Sequence, residues 1–173
     1  IQNSPLEYSM RDAENVIPLL SKAEQYAHGT EAGRILKKIH SIPAPDDFPE
    51  WESRFNRKID RKIKMYEDCP IKYENGQAFI DYINAHRHLL SGRSRTYQHG
   101  DYHIGNMMIG NDKQLYIIDF NRNDFGDPWE EFNRIVWCAG ASPMFATGMV
   151  NGYFDNNVPI TFWKLLALYI SSN

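Results

Sequence analysis

Apolar residues recur every three to four positions along most of this chain, a pattern typical of amphipathic helices. The pattern predicts helices over residues 11–20, 23–42, 50–68, 74–90, 143–154 and 159–170. A further helix is predicted to begin at Asp127-Pro128, since an acidic cap followed by proline suits a first helical turn. Its buried stripe would consist of Trp129, Phe132, Ile135, Val136 and Trp137.

Two of these helices carry features beyond an apolar stripe. Gly29 and Gly33 lie within the helix at 23–42 and predict close packing. The helix at 50–68 turns apolar residues inwards, namely Phe55, Ile59, Ile63 and Met65, and basic residues outwards, namely Arg54, Arg57, Lys58, Arg61, Lys62 and Lys64. A basic run can bind phosphate, but this spacing around an apolar stripe favours a solvated helix face.

The middle of the chain departs from helical periodicity. Residues 106–109 and 115–118 are predicted strands, and Gly110-Asn-Asp-Lys-Gln joins them as a hairpin. Asp101 and Asn106 lie on a tight loop before the hairpin, and Asp119 follows its second strand, so the hairpin should bring Asp119 back beside them. With no repeat or linker visible, we predict a mainly α (α+β) chain that forms one domain over residues 1–173.

Composition excludes several classes of protein. The chain is 42% hydrophobic and 24% charged, which is ordinary for a globular domain, and its net charge of −3 gives no broad basic surface for nucleic acid. Cys69 and Cys138 are too few for a disulfide framework, so we expect a reducing compartment, the cytoplasm. No apolar run reaches membrane-spanning length, and residues 1–5 lack the features of a signal peptide.

The polar residues around the hairpin suggest metal chemistry. A carboxylate, an amide and a second carboxylate supply the oxygen ligands that suit Mg²⁺, which takes its remaining ligands from water and phosphates. The pair Asp101 and His103 could instead serve a metal-dependent phosphoesterase, although no further His and Asp motifs complete a two-metal site. His86 and His88 lie two residues apart on a predicted helix, do not face each other, and are interpreted as structural.

Two linked motifs resemble those of the aminoglycoside phosphotransferase and choline kinase-like family of small-molecule kinases. His99-Gly-Asp101-Tyr-His-Ile-Gly-Asn106 resembles the family motif H-G-D-x-x-x-x-N, the counterpart of the protein-kinase H-R-D-x-x-x-x-N. Ile117-Ile-Asp119-Phe120, with Gly126-Asp127-Pro128, resembles the second motif, whose acid corresponds to the D-F-G aspartate. The segment 32–43 is also similar to the family pattern A-G-x-x-L-x-x-I-H-x-x-P.

The resemblance implies the helical C-terminal lobe of a protein-kinase-like fold. It also implies phosphoryl transfer from ATP or GTP to a hydroxyl of a small molecule, such as an aminoglycoside, a choline-like alcohol, an amino alcohol or a sugar. Asp101 matches the catalytic base, and Asn106 and Asp119 match the Mg²⁺ ligands. His103 occupies a position from which it either contacts the transferred phosphoryl group or orders the loop.

Other positions follow from the same resemblance. Met108 and Ile118 match residues that form the floor beneath the adenine, and His99 is expected to be structural, packing under Asp119-Phe120. Glu131 replaces the usual Asp of the G-D-P-x-x-D motif, which leaves its role open. Acids that could form a surface for a cationic acceptor, or could be ordinary solvated acids, are Asp124, Glu130, Glu131 and Asp155.

The family's smaller N-terminal lobe, with its phosphate-covering loop and ATP-positioning Lys, has no counterpart in the sequence, since no Gly-rich loop follows a strand near the start. We therefore expect a C-terminal catalytic lobe, a fragment of a larger enzyme that is not a competent kinase by itself. The alternative is a catalytically inactive, kinase-like binding or regulatory module. The complete set of Asp101, Asn106 and Asp119 argues against that alternative.

Overall fold

The computed structural model describes residues 9–173 of the chain. The interpretation of residues 1–5 as lacking a signal peptide lies outside the described residues. Helices predominate, and the strands form small antiparallel sheets, which confirms the predicted mainly α (α+β) class. None of the described helices is long and apolar enough to cross a membrane.

The α-helices and strands follow one another along the chain with short 3-10 turns between them. In chain order they are β1 (Met10–Asp12), α1 (Ala13–Val16), α2 (Lys22–Ile39), α3 (Trp51–Asp68), α4 (Gly76–His86), β2 (Thr96–Gln98), β3 (Met107–Gly110), β4 (Leu115–Ile117), β5 (Asp124–Gly126), α5 (Ile135–Ala141), α6 (Pro143–Tyr153) and α7 (Ile160–Ser171). The 3-10 turns are Ile17–Leu19, Arg87–Leu90, Ile104–Asn106, Phe120–Arg122 and Glu130–Arg134.

Two predicted helices differ from the structure for identifiable reasons. The helix predicted at 11–20 is replaced at its start by β1, because Arg11 pairs with Ile109 of β3, and long-range pairing overrides local periodicity. The helix predicted from Asp127 begins as a 3-10 turn, and α5 starts only at Ile135. The predicted buried stripe is also wrong at Trp137, which is 50% exposed, and at Val136, which is 47% exposed.

Helix α3 confirms most of the predicted stripe and corrects the rest. Phe55 and Ile59 are buried, but Met65 is 64% exposed. Met65 follows Ile63 by two residues, which places it about 200° around the helix. The basic face is only partly solvated, because Arg54 forms an ion pair with Asp124, and Lys58 lies 3.2 Å from a carboxylate oxygen of Glu130.

The chain divides into two compact units. The first unit contains residues up to Lys38, Asp101–Arg122 and Arg134–Asn157. It holds the antiparallel sheet β1-β3-β4, in which Met107 lies opposite Ile117, as the predicted hairpin requires. Cys138 is buried in this unit, and burial raises the pKa of its thiol to about 11.

Helices α2 and α6 of the first unit touch backbone to backbone. A methyl group added at Gly29 would overlap the carbonyl oxygen of Phe145, and one added at Gly33 would overlap that of Met149. From the other side, Gly148 and Gly152 meet the backbone of α2 in the same way. The close packing predicted for Gly29 and Gly33 is therefore confirmed, and it admits no side chain at either position.

The second unit contains Ile39–Gly100, Asn123–Asn133 and Val158–Asn173. Its core combines α3, α4 and α7, and the buried residues of this cluster are Trp51, Phe55, Ile59, Ile83, Leu90, Leu165, Leu168 and Tyr169. The strands β2 and β5 form an antiparallel ribbon, with Tyr97 opposite Phe125. His86 and His88 bond to the carbonyl oxygens of Tyr82 and Ala85 through Nδ1, as expected of structural histidines. The prediction that they do not face each other is wrong, because α4 gives way to a 3-10 turn at Arg87 and the two rings stack with centroids 6.3 Å apart.

Asp127 is the central polar residue of the second unit, and its carboxylate is fully buried. It accepts hydrogen bonds from Arg93 Nε at 2.6 Å and Nη2 at 2.8 Å, from the Trp129 amide at 2.9 Å and from the Tyr169 hydroxyl at 2.5 Å. The Tyr169 oxygen also accepts from Trp51 Nε1 at 3.1 Å. Burial, together with the neighbouring Asp127 charge, raises the pKa of Tyr169, so its hydroxyl remains a donor.

Substituting Gly33→Ala should lower the free energy of unfolding by about 1–3 kcal/mol, because the new methyl group overpacks against α6. Gly140→Ala is the matched control, since nothing lies within 4 Å of a methyl group at that helical position. It should be neutral or stabilising by up to about 1 kcal/mol. Denaturant titration measures both, and equal stabilities of the two variants would contradict the backbone contact.

Candidate active site

The loop between β2 and β3 is held by a buried tyrosine. Tyr102 is fully buried, and its hydroxyl donates a 2.7 Å hydrogen bond to the carbonyl oxygen of Ala32 in α2. Gly100 precedes the loop residue Asp101 with φ at 86°, in the left-handed region that glycine adopts readily. Asp101 therefore lies between Gly100, whose backbone turns in the left-handed region, and Tyr102, whose side chain is anchored to α2.

Two arginines surround Asp101. The Arg134 Nε lies 3.0 Å from Asp101 Oδ1, and the Arg122 Nη1 lies 3.5 Å from Asp101 Oδ2. The guanidinium of Arg134 also stacks on Trp137, at 4.8 Å from the ring centroid. Neither arginine was predicted as a site residue. Arg134 ends a 3-10 turn and Arg122 follows Asp119 by three residues. No periodic pattern in the sequence predicts that either side chain would contact this loop.

His103 makes contacts within the same loop. Its Nδ1 accepts a hydrogen bond from the Gly105 amide at 3.1 Å, which places the ring proton of a neutral imidazole on Nε2. Nε2 is 3.8 Å from Asp101 Oδ1. The imidazole ring packs against Trp137 in a T-shaped arrangement, with the ring centroids 4.8 Å apart. This geometry favours the loop-ordering interpretation of His103 and leaves an N–H that points towards Asp101.

The hairpin brings the third polar residue of the motif back to the loop. The Asn106 amide nitrogen donates to the Asp101 carbonyl oxygen at 2.9 Å, and the Ile118 amide donates to the Asn106 carbonyl oxygen at 3.1 Å. Asp119 follows Ile118 directly, is exposed and has φ at 64°. Left-handed backbone is uncommon outside glycine and is often retained where function requires it.

The oxygen donors at this point fit Mg²⁺. The hydrogen bond to Asp101 uses the amide nitrogen of Asn106, which leaves the amide oxygen of that side chain as an acceptor that could bind a cation. Asp119 supplies an exposed carboxylate nearby along the hairpin. Within residues 9–173, no group of three or more His, Cys, Asp or Glu residues is arranged to hold a metal. A site here would therefore rely on water and phosphate oxygens, as Mg²⁺ sites often do.

Met108 and Ile118 share one face of the β3-β4 hairpin. Met108 lies opposite Tyr116, and Tyr116 and Ile118 are two residues apart, so side-chain alternation places all three on the same side. Met107, on the opposite face of the hairpin, is fully buried, whereas the Ile118 side chain is 40% exposed. This exposed apolar face is compatible with the predicted contact to an adenine ring.

Glu131 is buried in the second unit and bonds to the backbone before the loop. Its carboxylate accepts hydrogen bonds from the His99 amide at 3.0 Å and from the Gly100 amide, and it lies 2.9 Å from His40 Nε2. These contacts explain the buried His99 backbone and leave Glu131 unavailable to bind a ligand. The acid that departs from the family motif thus fixes the chain up to the residue before Asp101.

The other acids proposed for a cationic acceptor already have partners. Arg54 pairs with Asp124, Lys58 pairs with Glu130 at 3.2 Å, and Lys37 pairs with Asp155 at 2.5 Å. The interpretation of these acids as an acceptor surface is therefore weaker than the interpretation of them as paired surface groups. Glu14 was not singled out by the sequence, yet its carboxylate lies beside the backbone of Gly105.

Cavities elsewhere do not coincide with these residues. The second unit contains a depression of about 540 Å³ against α3 and an apolar groove of about 730 Å³ among α3, α4 and α7. None of the predicted catalytic, metal-binding or nucleotide-binding residues lines either cavity. Asp101 and Asn106, which are hydrogen-bonded to each other, and Asp119, which follows Ile118 at the end of the hairpin, therefore form a candidate site separate from both cavities.

Comparison with known proteins gives a family for this chain and solved structures that are similar in fold. The model of the phosphotransferase enzyme family, APH, matches residues 8–163. No curated protein sequence matches the chain significantly. Among solved structures, the gentamicin complex of APH(2")-IIa shares 20% identity at a TM-score of 0.59, over 86% of this chain and 54% of that one.

Two further structures are similar in fold. A choline/ethanolamine kinase family protein from Mesorhizobium loti has 12% identity and a TM-score of 0.63, over 95% of this chain and 54% of that one. The choline kinase LicA from Streptococcus pneumoniae has 16% identity and a TM-score of 0.55, over 94% and 59% respectively. The chain thus spans a little over half the length of these structures, and their likeness confirms the predicted kinase-like C-terminal lobe.

Substituting Glu131→Gln should lower the free energy of unfolding by about 3 kcal/mol, because the amide group brings a donor against a buried backbone N–H. Glu67→Gln on exposed α3 surface is the control and should change stability by less than about 0.5 kcal/mol. Thermal denaturation compares the two variants. A Glu131→Gln protein as stable as the control would show that these backbone bonds contribute little.

Proposed function

This chain belongs to the phosphotransferase enzyme family, and from that premise we propose that it carries the catalytic residues of a small-molecule kinase. The reaction transfers the terminal phosphoryl group of ATP, or of GTP, to a hydroxyl group of the acceptor. The observation that carries the proposal is the loop and hairpin that bring Asp101, Asn106 and Asp119 into one compact unit. Phosphoryl transfer depends mainly on positioning and charge, which such a set supplies.

Asp101 acts as the base in this proposal. It orients the acceptor hydroxyl and receives its proton as the new oxygen–phosphorus bond forms. Arg134 forms an ion pair with the Asp101 carboxylate at 3.0 Å, and Tyr102 anchors the neighbouring backbone, so the segment that carries the base is held in place. His103 orders the same loop through Gly105 and directs Nε2 towards Asp101, from where it can contact the transferred group.

Asn106 and Asp119 are the proposed ligands of Mg²⁺, through the amide oxygen and the carboxylate. When bound, Mg²⁺ supplies positive charge that neutralises the phosphate oxygens. Met108 and Ile118 present the apolar face proposed to lie beneath the adenine. Nucleotide use is supported by two similar structures, a streptomycin–ATP complex of APH(2")-IIa and LicA in complex with AMP.

The acceptor is a hydroxylated small molecule. The similar structures include proteins described by gentamicin binding and by choline kinase activity, so aminoglycoside-like compounds, choline-like alcohols, amino alcohols and sugars are the classes to screen. We further propose that this chain acts as the catalytic lobe of a larger enzyme, with the upper wall of the nucleotide site supplied by a second lobe. The two cysteines are free, which supports a cytoplasmic enzyme.

Asp101→Asn in the full-length protein should lower turnover by about 10²- to 10⁴-fold, because the amide cannot accept the proton. Binding of Mg-nucleotide should survive, since Asp101 is not a proposed metal ligand. A coupled ADP-release assay with a panel of acceptors measures turnover, and Asp81→Asn, on the exposed side of α4 beside Gln77, is the control. Turnover close to that of the control would remove Asp101 from its role, and no turnover by the unmodified protein would favour an inactive module.

Asp119→Ala should weaken Mg-nucleotide binding by about ten- to a hundredfold while acceptor binding changes little, because only the nucleotide shares the metal. Titration calorimetry measures both affinities in the same preparation. Asp81→Ala is the matched control for loss of one surface carboxylate. Unchanged nucleotide affinity in Asp119→Ala would contradict its assignment as a metal ligand.

A further inference from the structure

We propose that the acceptor carries an anionic group, a carboxylate or a phosphate, close to the hydroxyl that is phosphorylated, and that Arg134 and Arg122 bind this group. The inference rests on the proposed function, because it takes Asp101 as the residue beside which the acceptor hydroxyl lies. It goes further by assigning a negative charge to the acceptor, which sets it apart from the cationic compounds among the classes proposed above, and by assigning two residues to its recognition.

The first support is the number of cations around the base. Arg134 and Arg122 both approach Asp101, at 3.0 Å and 3.5 Å, so two permanent positive charges face one carboxylate. Asp119 and Glu14 also carry negative charge near this loop, so the site has no net excess of positive charge, but both guanidinium groups lie at the Asp101 carboxylate itself. A cation at that point attracts an anion and repels an ammonium group.

The second support is the geometry of Arg134. Its contact with Asp101 engages Nε, while the planar guanidinium carries further N–H donors on its terminal nitrogens. The side chain is 23% exposed and rests against Trp137, which fixes the plane of the group. A fixed guanidinium fork matches the oxygen pairs of carboxylate and phosphate groups, and these contacts are stronger than neutral hydrogen bonds.

The third support is the state of the acids that the sequence offers for an ammonium group. Acceptors that carry ammonium groups need carboxylates to receive them, yet Asp124, Glu130 and Asp155 are ion-paired and Glu131 is buried on backbone amides. Glu14, beside Gly105 in the same unit, is an acid that could receive an ammonium group. Because both arginines lie at Asp101 itself, where the acceptor hydroxyl is proposed to lie, an anionic acceptor is favoured over a cationic one.

Matched ligands test the charge of the acceptor directly. D-gluconate, sorbitol, D-glucamine and sorbitol 6-phosphate share a six-carbon polyol body and carry a carboxylate, no charge, an ammonium group and a phosphate. Glycerate, glycerol, 3-aminopropane-1,2-diol and glycerol 3-phosphate form the corresponding three-carbon series. Calorimetry measures binding of each to the full-length protein, and ADP release measures transfer. The carboxylate and phosphate arms then show which anion is preferred.

We expect an anionic member to bind about ten- to a hundredfold more tightly than the neutral member of its series, the range for hydrogen bonds to charged groups. Arg134→Gln should remove most of that preference, and Arg122→Gln a smaller part, because Arg122 is 67% exposed. Arg34→Gln removes one exposed cation from α2 of the same unit and should leave the preference intact.

Several outcomes would overturn the inference. These are a preference for the ammonium members, which would implicate Glu14, equal or absent binding of the anionic members, and a preference that survives Arg134→Gln. A fall in kcat by the same factor for every acceptor, with KM unchanged, would also overturn it, since Arg134 would then contact the transferred phosphoryl group. Anion binding that depends on Arg134, without transfer to any acceptor, would support the inference and contradict the proposed function.

Discussion

The buried carboxylate of Asp127 is the interaction on which the second unit depends. It accepts hydrogen bonds from the Arg93 guanidinium, the Trp129 amide and the Tyr169 hydroxyl. The Tyr169 oxygen in turn accepts a hydrogen bond from the Trp51 indole. A buried charge is tolerated only when such partners surround it, and loss of one partner leaves the other charge unpaired. The start of α3, the loop before β2, the turn after β5 and the end of α7 must therefore reach their positions together.

The sequence predicts those features that arise from local repetition. Helices α3, α6 and α7 follow from their apolar periodicity, and the β3-β4 hairpin follows from two apolar runs around a turn. What it does not predict depends on residues distant along the chain. Strand β1 exists because β3 offers it a partner, and the ion pair between Arg134 and Asp101 joins segments that carry no shared pattern.

The same distinction applies to the candidate site. The spacing of Asp101, Asn106 and Asp119 already indicates a catalytic loop, because the motif lies within one loop and one hairpin. The electrostatic character of its surroundings does not follow from spacing. Only the folded chain shows that Arg54, Lys58 and Lys37 pair with Asp124, Glu130 and Asp155, while Arg134 and Arg122 lie beside Asp101. The motif thus indicates a class of reaction, and the charges packed around it give a hypothesis about the acceptor.

The glycine contact between α2 and α6 has a consequence for motion. Helices that meet through side chains can slide by small rotamer changes, but here a shift of one residue along α2 would press a side chain against the α6 backbone at Gly29 or Gly33. The pair is therefore locked along its axis. The Tyr102 hydroxyl donates a hydrogen bond to Ala32, the residue before Gly33. The position of the loop that carries Asp101 is therefore fixed relative to α2. We therefore expect the backbone at Asp101 to keep its position relative to α2 when a ligand binds, with adjustments confined to side chains.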